Sequence, residues 1–199
     1  MEGLLTLFFL LIGAAGFSYS QYVEIKQLKT LVATDPLTGL LNRRAFLEVL
    51  TRLVDLLPAV RGEYRKRSLS TLSVFFIDLD YFKKVNDNWG HAVGDEVLRE
   101  VAKTLRKKLR ESDIICRWGG EEIVVALPNL HADEAVEVAE KIRRAVAKLT
   151  FSELSLQVTV SIGVATATQY ESGNKLITYA DKAVYQAKEK GRDRVVLYH

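Results

Sequence analysis

Apolar residues are spread along this chain in two ways, and the change between them falls near residue 34. Ahead of it they run together: residues 3–17, GLLTLFFLLIGAAGF, hold fifteen positions without a charge, extended to residue 22 by the weakly polar SYSQY. A membrane-crossing helix needs about 20 such residues, so the run is of borderline length. Glu2 stands in front and Lys26 and Lys29 behind, the charge order of a single span with its bulk in the cytoplasm. Residues 3–22 are read as a membrane anchor, with a buried or partner-packing helix as the alternative. Ile25, Leu28 and Val32 add one heptad of coiled-coil spacing, the start of a dimerising seam.

From Asp35 the apolar positions become periodic. Pro36 and Gly39 punctuate a turn, and Asn42 caps a helix carrying Phe46, Leu47, Leu50, Leu53, Val54 and Leu57, which ends near Pro58. RGEYRKR, residues 61–67, is a solvated basic loop. STLSVFFIDLD is an apolar strand ending in two acids. A short helical or loop segment follows, then a long helix with Val93, Val97, Leu98, Val101, Leu105 and Leu109 on one face. SDIICRW and EEIVVALPN form a hairpin around Gly119 and Gly120. ADEAVEVAEKIRRAVAKL is an amphipathic helix, LSLQVTVSIGVATA a strand, GNKLITYADKAVYQAKEKG a helix stopped by Gly191, and RVVLY a closing strand. This order predicts an α+β domain over residues 35–199: a central sheet of about five strands, with an antiparallel pair, under helices on its faces. Residues 1–34 are a separate apolar helix and linker.

Composition fits that picture. A chain of 199 residues, 48% hydrophobic and 27% charged, is neither disordered nor fibrous. The net charge of +3 is too small to argue for wrapping nucleic acid, but suits an anionic ligand. The single Cys116 excludes an internal disulfide and lies in a strand, so it reads as a buried, reduced thiol.

The candidate chemistry is acidic. Asp78 and Asp80 end one strand, and Glu121 and Glu122 open another just after Gly119 and Gly120. A central sheet can place both pairs at one edge, where like charges need a proton or a cation between them. Oxygen ligands of this kind suit Mg²⁺, which is commonly held by one or two carboxylates plus substrate phosphates. The glycines let a phosphate or base approach the backbone closely. Lys83 follows Asp80 by three residues, and Lys188 and Arg192 sit four apart near the end of the last helix, close to one face; three cations match a triphosphate. His91 reads as a structural or helix-capping residue.

These residues lie in five ordered blocks: DPLTGLLNRRAF, FIDLDYFKKVNDNWGHAVGDEVL, RWGGEEI, VSIGVA and ADKAVYQAKEKGRDRV. In them the chain from Asp35 to about Leu197 resembles a GGDEF domain, the diguanylate cyclase family. The resemblance implies a palm-like nucleotidyl cyclase fold and condensation of two GTP into cyclic di-GMP with release of two pyrophosphates. It further implies that Asp78, the Leu79 carbonyl and Glu121 hold Mg²⁺, with Mn²⁺ as an alternative, and that Glu122 is a neighbouring metal ligand or base. Lys83, Lys188 and Arg192 would grip the β- and γ-phosphates, Asn86 and Asp95 would read guanine, and Gly119 and Gly120 would admit the nucleotide. A carboxylate at Asp95 accepts from guanine N1 and N2, donors that adenine does not present in that arrangement.

Each domain would bind one GTP, so closing the ring requires a homodimer. Arg110 and Asp113 stand where the family carries an R-x-x-D site at which cyclic di-GMP inhibits. The catalytic domain would be cytoplasmic, in a bacterium, anchored to the inner membrane. Ile123 departs from the family's usual phenylalanine and should point into apolar packing behind the turn, leaving Glu121 and Glu122 in place. Asp193, where asparagine often follows arginine, is a surface-level variation. The rival is a receptor that has lost catalysis and only binds GTP or cyclic di-GMP; it would not need the full set of edge residues. A dimerisation scaffold without a ligand would explain neither constellation.

Overall fold

The computed structural model describes residues 33–58, 69–151 and 156–199. The anchor and seam expectations for residues 3–32 and the basic loop, residues 61–67, lie outside the described residues. Of the chain's two compact units, Met1–Thr34 and Asp35–His199, the second holds the features below.

Among the described residues, six strands and five helices follow in the order β1 (Leu41–Asn42), α1 (Arg43–Val54), β2 (Leu72–Leu79), α2 (Phe82–Trp89), α3 (His91–Lys108), β3 (Ile114–Gly119), β4 (Glu122–Pro128), α4 (Ala132–Val146), β5 (Val160–Ala167), α5 (Gly173–Glu189) and β6 (Val195–Leu197). The sheet order is β1-β3-β4-β2-β5-β6. Pairs β3/β4, β4/β2 and β2/β5 are antiparallel, whereas the two edge strands pair in parallel. The expectation of about five strands is thus one short: β1 has two residues, too few to show a period of two. β5 is also shorter than the apolar run that predicts it, beginning only at Val160.

All eight residues of β2 are buried, so the strand packs on both faces. Phe75, Ile77 and Leu79 join Ile123, Val125, Ile162 and the helices α3 and α4 in one core. Val74 and Phe76 join Val124, Ala126 and the helices α1 and α5 in the other. The sheet therefore forms the middle of three layers. Asn42 caps α1 as its sequence predicts, its side chain accepting from the Ala45 amide at 3.0 Å. Cys116 is fully buried, and burial pushes its thiol up to about 12. Ile123 is fully buried, as the reading of the turn requires.

Candidate active site

The acidic edge is built by strand register. Asp78, the penultimate residue of β2, lies directly across from Glu122, the first residue of β4. The Leu79 amide donates to the Glu121 carbonyl at 3.4 Å. Glu121 itself belongs to the turn and not, as its sequence suggests, to the returning strand, which starts at Glu122. The register of the hairpin slips between Arg117 and Gly119. At the bulge, Trp118 packs edge-on against Phe46 and Phe76 with the Arg43 guanidinium 4.2 Å from its ring. Bulges re-aim the residues beside them, and here the anchored tryptophan fixes the approach of the turn. Gly120 has φ of +23°, and a Cβ there would meet nothing within 4 Å, so the turn lies open on that side.

Lys188, in the last turn of α5, reaches Asp78 at 2.6 Å. Asp78 is 6% exposed; burial pushes its carboxyl above the usual range against the hydrogen bond and charge of Lys188, and the charges of Glu121 and Asp80 add to the rise. Glu122 is raised as well, first by burial and then by Asp78 and Asp181. An acidic edge in which Asp78 is buried and Glu121 and Glu122 half-buried, with one ammonium against it, has carboxylate charge left to be matched.

Asp80 behaves differently from its neighbour. It accepts from the hydroxyls of Thr159 and Ser161, both at 2.7 Å, and from the Asp193 amide at 3.1 Å. Fully hydrogen-bonded in this way, it ties the end of β2 to β5 and to the loop after α5. Arg192 is a correction to the helical reading: α5 ends at Glu189, and Arg192 lies beyond it with φ of +63°. Asp193, read from sequence as a surface variation, also receives the Arg143 guanidinium at 2.7 Å.

Beside the acidic edge opens a cleft of 470 Å³ whose lining includes Lys83, Asn86, His91, Asp95, Arg117 and Glu121. Asn86 and Asp95 come from consecutive helices joined at Gly90, so the sharp turn between α2 and α3 is what brings them together. Gly94 leaves room for the Asn86 side chain, whose Oδ1 would lie 2.0 Å from a Cβ at that position. His91 opens α3 without capping it, since Gly90 is the cap residue, and lines the cleft instead.

Arg117 is the residue that sequence reasoning missed. Its guanidinium donates twice to the Gly120 carbonyl, at 3.1 and 2.9 Å, and pairs with Asp35 at 3.1 Å. Burial raises Asp35, but the Thr38 hydroxyl and amide together with Arg117 outweigh it and hold the carboxyl below its ordinary value. An arginine two residues before a Gly-Gly turn was the available signal. Apart from this edge, Arg110 and Asp113 line a second cavity of 490 Å³ with Arg106, Leu109 and Gly39. There Asp113 accepts from the Arg110 amide at 2.7 Å, and Arg106 donates to the Gly39 carbonyl at 2.6 Å.

A three-layer fold with an acidic hairpin edge beside a polar cleft defines the class, and comparison with known proteins gives the family. Residues 32–194 match the model of the family described as diguanylate cyclase, GGDEF domain. The chain is 40% identical over 178 residues to diguanylate cyclase A of Treponema denticola, covering 88% of this chain and 47% of that protein. It is 44% identical over 171 residues to the response regulator PleD of Caulobacter vibrioides, covering 83% of this chain and 36% of that one. It thus spans half or less of the length of these curated relatives. Among solved structures, the coiled coil and GGDEF domain of DgcB from Caulobacter crescentus, in complex with c-di-GMP, superposes with a TM-score of 0.76 at 30% identity, over 94% of this chain and 96% of that one. The chain belongs to the diguanylate cyclase GGDEF domain family.

The acidic edge fits the divalent ion that the family implies. Among the described residues no three His, Cys, Asp or Glu side chains form a preassembled cage. Mg²⁺ does not require one, because it takes one or two carboxylates and completes its shell with water and substrate phosphate. Asp78 and Glu122, paired across the end of the sheet with Glu121 in the turn beside them, offer carboxylate oxygens of the kind such an ion takes.

Proposed function

We propose that the chain is a diguanylate cyclase, condensing two GTP into cyclic di-GMP and two pyrophosphates as a homodimer. The observation that carries this reading is the adjacency of the acidic edge, Asp78 with Glu121 and Glu122, to the cleft containing Lys83, Asn86 and Asp95. Asp78, the Leu79 carbonyl and Glu121 hold Mg²⁺ or Mn²⁺, with Glu122 beside them. The bound ion supplies charge neutralisation and acidifies the attacking hydroxyl. Asn86 and Asp95 orient the guanine, and Lys83, Lys188 and Arg192 hold the β- and γ-phosphates. Lys188, paired with Asp78 at 2.6 Å, exchanges that carboxylate for phosphate oxygens when substrate arrives. Glu122 is read as a neighbouring metal ligand or as the base that takes the proton from the ribose 3′-hydroxyl. The new P–O bond forms at the α-phosphorus of the other GTP as its bond to the pyrophosphate oxygen breaks.

Each protomer presents one such edge, so two must face each other for the ring to close. Residues 3–22 and the short seam behind them serve to anchor the cytoplasmic catalytic domain to the inner membrane and to pair it. The cavity holding Arg110 and Asp113 takes cyclic di-GMP as inhibitor: an arginine forks onto guanine or phosphate, and a carboxylate accepts guanine donors.

The test is incubation of the purified full chain with GTP and Mg²⁺, after phosphodiesterase treatment to strip bound product. Nucleotides are then resolved by chromatography beside a Glu121→Ala control. Cyclic di-GMP from the wild type and none from the variant is the expected result; no product from a folded, ligand-free dimer would sink the enzyme reading. A second substitution probes the cleft. Gly94→Ala should keep the helix, since alanine is the better helix former, yet it displaces Asn86. The KM for GTP is expected to rise about tenfold through loss of one hydrogen bond to the base, and an unchanged KM would remove Asn86 from guanine recognition.

A further inference from the structure

The loop after α5 is fastened to the end of β2 by two consecutive residues gripping two others. Asp80 accepts from the Asp193 amide at 3.1 Å. Next to it, the Tyr81 ring lies 4.5 Å from the Arg192 guanidinium, whose Nη1 is 3.4 Å from the Tyr81 hydroxyl. Three of the four positive-φ residues other than glycine among the described residues meet here: Tyr81 at +56°, Arg192 at +63° and Asp193 at +43°. For bulky side chains this conformation costs energy and persists where the surroundings enforce it. Tyr81 is 53% exposed, so burial of its ring does not account for the strain. What the conformation achieves is to turn the ring toward Arg192, with the Lys84 ammonium also 4.6 Å from that ring. The Arg192 amide is held in turn by the Ala187 carbonyl at 3.0 Å, one residue before Lys188.

We propose that Tyr81 is a positioning residue for phosphate recognition: its ring holds the Arg192 guanidinium next to the Asp80–Asp193 contact at the end of β2 before substrate arrives. A flexible arginine on a loop beyond a helix end would otherwise lose rotamer freedom on binding, and the aromatic face meets part of that cost in the free protein by a cation–π contact. The proposal rests on the reading that Arg192 grips the β- and γ-phosphates of GTP. Tyr81 acts only through Arg192, so its influence is confined to ligands that carry those phosphates.

The experiment measures equilibrium binding of GTP and of GMP, which lacks the β- and γ-phosphates, to the full chain and four variants: Tyr81→Phe, Tyr81→Asn, Arg192→Ala, and Tyr81→Asn combined with Arg192→Ala. Asparagine is chosen because it tolerates positive φ, so the backbone of the turn is kept while the ring is lost. The expected result is an approximately fivefold weaker Kd for GTP in Tyr81→Asn, an unchanged Kd for GMP, and near-wild-type binding in Tyr81→Phe. In the Arg192→Ala background, Tyr81→Asn should add nothing. Equal weakening of GTP and GMP, or an undiminished effect in the double variant, would overturn the positioning role. So would wild-type GTP binding in Tyr81→Asn when Arg192→Ala binds weakly. If Arg192→Ala itself binds GTP like the wild type, the phosphate role of Arg192 fails and the proposal fails with it.

Discussion

Asp78→Asn is expected to lower kcat for cyclic di-GMP formation by on the order of 10³-fold, the loss typical when a preorganised electrostatic group is removed from a reacting centre. The substitution keeps the shape of the side chain, removes its charge and turns one acceptor oxygen into an NH2 donor. Stability should not fall with activity. Burial holds the Asp78 carboxyl above its ordinary value in the folded protein. A group raised in this way contributes stability below its unfolded value of about 3.8, and loses it as pH rises through the folded value. At pH 7.5 burial of this carboxyl is therefore a net cost to folding, partly offset by Lys188. Melting the two proteins at that pH without metal should give Asp78→Asn a Tm equal to or above the wild type. Adding Mg²⁺ should raise the wild-type Tm, and the variant's less. Activity within tenfold of wild type, or a metal response unchanged by the substitution, would refute the assignment of Asp78 to the ion.

Gly163→Ala is expected to have the largest effect on the fold. At this position β5 passes so close to α5 that an added Cβ would lie 2.0 Å from the Ala180 carbonyl oxygen, 2.5 Å from the Val184 amide nitrogen and 2.9 Å from the Ala183 Cβ. The first two are backbone atoms of a helix and cannot rotate aside. Either α5 lifts from the sheet or β5 shifts against β2, with which Gly163 is paired at Phe76. Overpacking against fixed backbone costs about 3 kcal/mol, which for a chain of this size lowers Tm by roughly 6 to 12 °C. Because α5 also carries Lys188, activity should fall in whatever fraction remains folded. Differential scanning calorimetry decides the matter, and an unchanged Tm would mean that the sheet and helix are less tightly opposed than the distances state.

The site's parts were legible where chemistry is carried by adjacent residues. Strand-terminal acids, a Gly-Gly turn and a capped helix are short patterns whose period and residue types announce themselves, and Asp78, Glu121 and Glu122 were found that way. Asp80 was grouped with Asp78 because both stand at the end of one apolar run. The strand ends at Leu79, however, and Asp80 turns to Thr159 and Ser161, 79 and 81 residues away along the chain. Arg192 was grouped with Lys188 close to one face near the end of a helix that in fact stops at Glu189, three residues earlier. Arg117 was passed over because its partners, Asp35 and Gly120, acquire meaning only when β3 lies beside the turn that opens the domain.

By itself the sequence determined most of the element types, the apolar character of β2, the position of the acidic hairpin and, through its motif blocks, the family resemblance, since these rest on periodicity and local residue identity. Only the tertiary structure decided which acid faces the cleft and which braces the sheet, how Tyr81 meets Arg192 across 111 residues, and that β1 and β6 close the sheet in parallel. The physical reason is that strand register and helix packing set these partnerships. They depend on the free energy of the whole packed core, which no window of neighbouring residues contains.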